Sequence, residues 1–139
     1  MLKLSDASDF TGEDLTRALK GYLSHWAERS GIVVETWALP GGAVPREIAQ
    51  AVYATVLEAL ANVERHSGAA HVSVAITLSA SGLRMTVSDD GGGFPENRAD
   101  RSPGRGLAAM RAWFAEVGGT LTVNTVPAGG TTVTGVVPV

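Results

Sequence analysis

Cysteine is absent from this 139-residue sequence, and several other features are also missing or scarce. Without cysteine there is no disulfide framework, no thiolate zinc site and no cysteine nucleophile. No apolar run approaches the roughly 18 residues that a membrane-spanning helix needs. The opening residues, Met-Leu-Lys-Leu-Ser-Asp, lack the apolar segment of a signal peptide. These absences predict a soluble domain of intracellular character.

Positive charge is scarce as well, because 11 Lys and Arg residues stand against 14 Asp and Glu, a formal net charge of −3. A nucleic-acid surface needs a basic face, so this balance argues against one. The sequence has no Gly-x-x-x-x-Gly-Lys-Ser/Thr phosphate loop. A nicotinamide-binding Gly-x-Gly-x-x-Gly also fails, because residues 94–96, Phe-Pro-Glu, do not open a helix after glycines 91–93.

The hydrophobic pattern predicts one domain with a real core, since 45% of the residues are hydrophobic and 18% are charged. We expect residues 1–10 to be an N-terminal junction and residues 11–139 to be the domain, with a polar loop at 94–103. Periodicity predicts three helices and five strands. The helices are expected at 11–30, 45–66 and 106–117, and the strands at 32–39, 72–78, 83–88, 120–126 and 131–137. Together they predict a two-layer α/β sandwich, with a mixed, mostly antiparallel sheet and the helices on one face.

Residues 58–66, Glu-Ala-Leu-Ala-Asn-Val-Glu-Arg-His, form the first candidate site. On a helix, Glu58 and Asn62 lie one turn apart, and His66 follows one turn later. This polar stripe borders an apolar face made of Ile48, Val52, Val56, Ala59, Leu60 and Val63. A half-buried carboxylate and amide at this spacing can bind a metal ion and order a water. Taken alone, the segment fits a solvated surface pair equally well.

Two further segments combine glycines with chemistry-bearing residues. The strand 83–88 ends in Asp89-Asp90 and three glycines, where an acid can accept a hydrogen bond from a ligand amino group. A plain turn is the alternative, since Asp-Gly is a common turn dipeptide. Gly104-Arg-Gly106-Leu107 precedes a helical pattern, and glycines at a helix start expose N–H groups that bind anions. Simple flexibility before a helix explains these glycines as well.

In this order the three segments resemble the ATP-binding domain of sensor histidine kinases, in the GHKL ATPase superfamily. The nitrate-sensor and desaturase-sensor kinases are the most similar type. The segment 58–66 resembles the family's N box, Asp89-Asp-Gly91-Gly-Gly93 its G1 box and Gly104-Arg-Gly106-Leu107 its G2 box. Gly130-Thr131 before the last strand resembles the family's Gly-Thr element. The likeness runs from about residue 13 to the C-terminus and implies a Bergerat-type ATP-binding fold.

The resemblance also implies a role for each candidate residue. Asn62 would supply an amide oxygen to Mg²⁺, and Glu58 would hold or polarise a water. Asp89 would accept the adenine amino group, Gly91 and Gly93 would let the loop pass close to the nucleotide, and Thr131 would bond the adenine edge. The family pattern also places a set of residues near the phosphates: Arg65, His66, Gly104, Arg105, Gly106 and Leu107. Arg105 fits a solvated lid residue equally well. Asp90 is expected to be a solvated turn residue, and Trp26, Trp37 and Trp113 core or interface aromatics.

The resemblance also draws attention to a missing phosphoacceptor. Kinases of this type carry an acceptor histidine, usually followed by Asp, on a dimerising helical hairpin, and no His-Asp pair occurs here. We therefore expect a fragment of a longer sensor or a stand-alone domain, with weak turnover of its own. The expected partners are the hairpin of the same parent protein and, indirectly, a response regulator; the parent could be membrane-anchored. The alternative is an anti-sigma-factor-like, ATP-binding switch protein that phosphorylates a serine.

Overall fold

The computed structural model describes residues 12–41, 44–91, 102–126 and 129–138, with the side chains of 12–14, 66–67 and 102–105 outside that description. In chain order the elements are α1 (Gly12–Ser30), β1 (Val33–Ala38), α2 (Arg46–Asn62), a π-helix (Val63–Ser67), β2 (His71–Ser79), β3 (Gly82–Asp89), α3 (Ser102–Glu116), β4 (Thr120–Val126) and β5 (Gly130–Pro138). Gly31 follows α1 with φ 77°, which confirms it as the stop of that helix.

The strands form one five-stranded sheet in the order β1-β2-β3-β5-β4. β1 pairs parallel with β2, and the other three pairings are antiparallel. β2 and β3 are the predicted hairpin, with Ser79 opposite Gly82 at the turn. The mixed, mostly antiparallel sheet and the two-layer α/β architecture are therefore confirmed.

Alternation along the strands separates the two faces of the sheet, because successive side chains point to opposite sides. One face is apolar and buried under the helices, with Val72, Val74, Ile76, Leu83, Met85, Val87, Leu121, Val133 and Val137. They pack with Leu15, Leu19 and Trp26 of α1 and with Val52, Val56 and Leu60 of α2 in one core. On the other face Ser73, Thr86, Ser88, Thr132 and Thr134 are only half-buried.

The long helix predicted at 45–66 is two helices of different type. α2 ends at Asn62, and a π-helix continues the chain from Val63 to Ser67 before Gly68 turns it with φ 68°. Side-chain periodicity counts residues per turn only approximately, so it cannot register this change to a wider turn. α2 also begins one residue later than predicted, because Pro45 is its N-cap and not its first helical residue.

α3 begins at Ser102, four residues before the predicted start at 106, and it ends at Glu116. The last two residues of the predicted loop 94–103 therefore belong to the helix, and residues 94–101 lie outside the described part of the chain. Proline is accommodated in a first helical turn, where its missing N–H group needs no partner, so Pro103 does not delay the helix.

The tryptophans divide among three environments. Trp26 is buried in the core, Trp113 is half-buried against it, and Trp37 on the edge strand β1 is 72% exposed. Of these expected core or interface aromatics, Trp26 thus lies in the core and Trp37 lies outside it. β1 has only β2 as a neighbour, and its pairing is interrupted between Thr36 and Ala38, where Trp37 lies.

None of the helices in the described ranges is both long and apolar enough to cross a membrane.

Candidate functional site

A small cavity of about 10 Å³ lies where α2, α3 and the ends of β3 and β5 meet. Asn62, Asp89 and Thr131 are its polar lining residues. The other lining residues are apolar: Ala59, Val63, Val87, Leu107, Val123 and Val133. A volume of this size holds about one water molecule. The cavity therefore marks a convergence of side chains from five segments of the sequence.

Asp89 ends β3 at the mouth of this cavity and is half-buried. Its Oδ1 accepts a hydrogen bond from the backbone N–H of Gly91 at 2.8 Å. Burial raises the pKa of Asp89 above its ordinary value, while the N–H groups of Gly91 and Thr131 oppose the rise and the charge of Asp90 adds to it. The carboxyl is thus held by the backbone in a partly dry position, where a ligand donor gains more than it would in water.

Thr131 lies beside Asp89 because of the glycine before it. A Cβ on Gly130 would collide with the backbone carbonyl oxygen of Asp89, and Gly130 has φ 96°. Only glycine tolerates both conditions, so β3 and β5 approach closely at this end of the sheet. Thr131 is buried, and its Oγ1 lies 3.0 Å from Oγ1 of Thr125 on β4.

Asn62 ends α2 and is only 4% exposed. Its Oδ1 accepts a hydrogen bond from Arg65 Nη2 at 2.8 Å, and the same nitrogen lies 3.3 Å from Oε2 of Glu58. The amide oxygen and the carboxylate, predicted to lie one turn apart on one stripe, therefore converge on a single cationic nitrogen. Asn62 is buried and Glu58 half-buried, and their assignment to a metal stays a prediction.

Glu58 also contacts the first turns of α3. A Cβ on Gly106 would collide with the Glu58 carboxylate, so the absence of a side chain at this position lets α3 approach α2. This contact joins the segment that resembles the N box to the one that resembles the G2 box. Gly104 lies within the first turn of α3, so the two glycines lie inside the helix and not before it.

The π-helix places a second charged cluster next to Asn62. Glu64 accepts a hydrogen bond from Trp26 Nε1 at 3.1 Å and from Arg29 Nη1 at 2.9 Å. Both donors belong to α1, so α1 is fastened to the π-helix one residue before Arg65. π-turns occur often at functional sites, where they offset side chains from the helical stripe. The backbone of His66 is therefore not a simple continuation of the Glu58–Asn62 stripe.

Asp90 has a structural role that the sequence did not indicate. Its Oδ1 accepts the backbone N–H groups of Ala70 and His71, both at 2.9 Å, and its Oδ2 lies 2.8 Å from Nδ1 of His71. The expected solvated turn residue is thus exposed, yet it ties the end of β3 to the start of β2. These contacts lower the pKa of Asp90, led by the hydrogen bond from the backbone of His71. An Asp-Asp pair after a strand gives no signal for this pairing, which depends on strand register.

The remaining predicted residues divide by where the structure describes them. Gly91 is buried beside Asp89, and Leu107 lines the cavity. Gly93 lies outside the described residues, as do the side chains of His66 and Arg105. The structure thus brings together Glu58, Asn62, Arg65, Asp89, Gly91, Gly106, Leu107 and Thr131 around the cavity and the adjoining end of α2.

The donor set at the end of α2 fits a magnesium ion. Mg²⁺ prefers oxygen ligands, keeps several waters and needs only one or two protein oxygens when phosphates supply others. The oxygens of Asn62 and Glu58 already face one cationic nitrogen, which is the electrostatic arrangement a metal ion requires. Within the described residues no group of three His, Cys, Asp or Glu side chains forms a self-sufficient metal site. A metal ion bound there would therefore need further ligands, such as waters or the oxygens of a bound ligand.

The match to known protein families decides the identity of this fold. The model for histidine kinase-, DNA gyrase B-, and HSP90-like ATPases matches residues 47–139, which include all of α2 except its first residue and everything after it. The chain belongs to this ATPase family. Membership of an ATPase family implies that the domain binds ATP.

Sensor histidine kinases are prominent among the similar proteins. The chain is 39% identical over 130 residues to the sensor histidine kinase MctS of Rhizobium johnstonii, covering 89% of this chain and 27% of that protein. It is 32% identical over 124 residues to the nitrate/nitrite sensor protein NarX of Escherichia coli, covering 88% of this chain and 21% of that protein. The chain thus spans about a quarter of these relatives' length, and the match to NarX agrees with the nitrate-sensor resemblance.

A solved structure shows the same architecture. The histidine kinase domain of the Erythrobacter litoralis blue-light activated histidine kinase superposes with a TM-score of 0.73 at 28% identity, covering 91% of this chain and 60% of that one. The predicted ATP-binding fold is confirmed. The sensor-kinase interpretation is supported over the switch-protein alternative.

Proposed function

We propose that this chain is the ATP-binding catalytic domain of a two-component sensor histidine kinase. It binds Mg·ATP and donates the γ-phosphoryl group to a histidine on a separate dimerisation hairpin of the same parent protein. The observation that carries the proposal is the convergence of Asn62, Asp89, Leu107 and Thr131 on one cavity. These four residues come from the segments that resemble the N, G1 and G2 boxes and the Gly-Thr element.

Adenine recognition is assigned to the strand ends. The carboxyl of Asp89 accepts the adenine amino group, and Thr131 bonds the adenine edge directly or through a water. Val87, Val123 and Val133 supply apolar contacts for a flat base. Guanine presents an oxygen where adenine has its amino group, so two acceptors would face each other and GTP would bind less well. Gly91 and Gly93 keep side chains away from the nucleotide.

Phosphate and metal binding are assigned to the helix ends. Asn62 ligates Mg²⁺ through its amide oxygen, and Glu58 acts through a metal-bound water. The magnesium ion neutralises charge on the triphosphate. Arg65, His66 and Arg105 contribute positive charge or hydrogen bonds to the phosphates. The first turn of α3, which contains Gly104, offers backbone N–H groups to them, and Gly106 and Leu107 of the next turn complete the phosphate-binding end of the helix.

The reaction needs little covalent chemistry from this domain, because phosphoryl transfer depends mainly on positioning and charge stabilisation. The acceptor lies on the hairpin, and a response regulator then takes the phosphoryl group. We place the domain in the cytoplasm, on a parent protein that can be membrane-anchored. The names of the related sensor kinases support the assignment as a kinase domain.

Base selectivity tests the proposal most directly. Calorimetric titration of the chain with Mg·ATP and Mg·GTP should give tighter ATP binding, and Asp89→Asn should reduce the preference. One unsatisfied or repulsive polar contact costs about 1–3 kcal/mol, or about 5- to 150-fold in affinity. Glu35→Gln, the same chemical change at an exposed position on β1, is the matched control and should leave the preference unchanged. Equal affinity of the native chain for ATP and GTP would remove Asp89 from base recognition.

A further inference from the structure

One arginine, Arg65, contacts the side-chain oxygens that the proposed function assigns to metal binding. Nη2 of Arg65 lies 2.8 Å from Oδ1 of Asn62 and 3.3 Å from Oε2 of Glu58. The Asn62 side chain is almost fully buried, while the Arg65 side chain is 51% exposed and the Glu58 side chain 26% exposed. The guanidinium therefore reaches from solvent into the site and neutralises it.

We infer that Arg65 is a resident cation that occupies the magnesium position at Asn62 and Glu58 until Mg·ATP displaces it. The inference rests on the proposed function, because it takes the metal ligands from there. A metal ion and the guanidinium cannot share the Asn62 oxygen at close range, since like charges repel at that distance. Metal binding at Asn62 thus requires Arg65 to leave.

Neighbouring contacts restrict what else Arg65 and its partners can do. Glu64, the adjacent carboxylate, faces away and holds Trp26 and Arg29 of α1. The carboxylate of Glu58 is confined from the other side by the backbone at Gly106. Glu58 therefore keeps its orientation when the arginine moves, and its carboxylate stays available to a cation of either kind.

The exchange makes metal binding depend on the nucleotide. A metal ion alone must displace the guanidinium and offers it no new partner in return. When the metal arrives with a triphosphate, the displaced guanidinium finds phosphate oxygens, to which arginine bonds strongly. Arg65 thereby weakens binding of the bare ion and favours binding of the metal–nucleotide complex.

Metal titration without nucleotide tests this inference. Mn²⁺ serves as the probe, because it takes oxygen ligands and its binding is read from water-proton relaxation. Arg65→Gln should bind Mn²⁺ about 2- to 10-fold more tightly than the native chain, the range expected from releasing one modest hydrogen-bonded contact. Arg29→Gln is the matched control, because it removes the same charge and also separates an arginine from a glutamate on the π-helix.

Three results would overturn the inference. The first is an unchanged Mn²⁺ affinity in Arg65→Gln, and the second is an equal gain in Arg29→Gln, which would reflect net charge alone. The third is a gain that survives in the double variant Arg65→Gln/Asn62→Ala, because the metal would then bind elsewhere. ATP titration of the native chain is a separate measurement. Failure to bind ATP would reject the proposed function, whereas the Mn²⁺ series judges only the placement of Arg65.

Discussion

Asn62 is the most buried polar side chain of the site, and its surroundings explain why it is retained there. A buried amide costs free energy unless its polar atoms are hydrogen-bonded. Arg65 satisfies the amide oxygen in the nucleotide-free chain. In the proposed complex the metal ion takes over that role, so the oxygen has a partner in both states.

Thr55 presents the opposite situation about two helical turns earlier on α2. It is fully buried, and among the described residues its hydroxyl has no hydrogen-bond partner. Thr55→Val keeps the shape and removes the unpaired group, so it should raise the free energy of unfolding by about 1 kcal/mol. Thr16→Val is the matched comparison, because the Thr16 hydroxyl donates to the Pro40 carbonyl at 2.8 Å.

Urea denaturation of both variants measures the contrast. Thr16→Val should lower the free energy of unfolding by about 1 kcal/mol, since the Pro40 carbonyl loses its donor. Valine and threonine have similar helix propensities, so the difference between the two sites isolates the hydrogen bond. A destabilised Thr55→Val would show that the hydroxyl has a partner, such as a bound water.

The family resemblance names most residues of the candidate site, while the pairings among them require three dimensions. Asn62, Asp89 and Thr131 were predicted from motif order, and the structure places all three around one cavity. Their roles in binding remain predictions. The Arg65–Asn62 contact and the Asp90–His71 contact were not predicted, because they depend on a π-turn and on strand register.

At the scale of elements, one glycine determines how closely α3 approaches the sheet. A Cβ on Gly135 in β5 would collide with the ring of Phe114, which is fully buried. The ring therefore lies against the bare backbone of the strand. Gly119 is similar, because a Cβ there would collide with the carbonyl of Val136. The position of α3, and with it Leu107 in the cavity, depends on these contacts.

Gly135→Ala should therefore destabilise the domain by about 1–3 kcal/mol, the usual cost of overpacking a core. Gly21→Ala is the control, because Gly21 is exposed in α1 with open space around its Cβ position. That change should stabilise by about 0.5–1 kcal/mol, since alanine is the better helix former. Thermal or urea unfolding measures both. Adding Phe114→Leu to Gly135→Ala should recover part of the loss; no recovery would mean that the ring is not the obstacle.

In the described ranges, sequence periodicity predicts the α-helices and strands but not the π-helix, and not every boundary or neighbour. The strands agree within about one residue because alternation is a strong signal over five or more residues. The parallel pairing of β1 with β2 was not predicted, although a helix between two strands is the usual connection of a parallel pair. The early start of α3 was missed because Pro103 and the glycines after it suggest a loop by composition, while a first helical turn tolerates them.

At the scale of the whole molecule, α1 is fastened to the π-helix beside the candidate site. Trp26 and Arg29 hold Glu64, while Leu15, Leu19 and Trp26 are buried in the common core. α1 is thus an integral part of the domain and not an appended segment. A displacement of α1 would be transmitted to the π-helix next to Asn62 and Arg65.

The last prediction concerns phosphoryl transfer by the isolated chain. Its histidines are His25, His66 and His71. His25 is exposed on α1, and His71 is paired with Asp90. Transfer depends on holding the acceptor in line with the γ-phosphate, and such positioning accounts for a large share of the rate. With radiolabelled ATP and Mg²⁺, the chain alone should bind nucleotide yet gain almost no acid-labile phosphate.

Addition of a dimerisation hairpin encoded in the same parent protein should allow phosphoryl transfer, and the radiolabel should appear on the hairpin histidine. A hairpin with that histidine replaced by glutamine is the control and should remain unlabelled. Asn62→Ala in the catalytic chain should reduce transfer to the native hairpin, because the metal loses its protein ligand. Strong labelling of His25, His66 or His71 in the chain alone would contradict the division of labour proposed here. Labelling of a serine on an added partner would instead favour the switch-protein alternative, since the acceptor chemistry differs while the ATP site is shared.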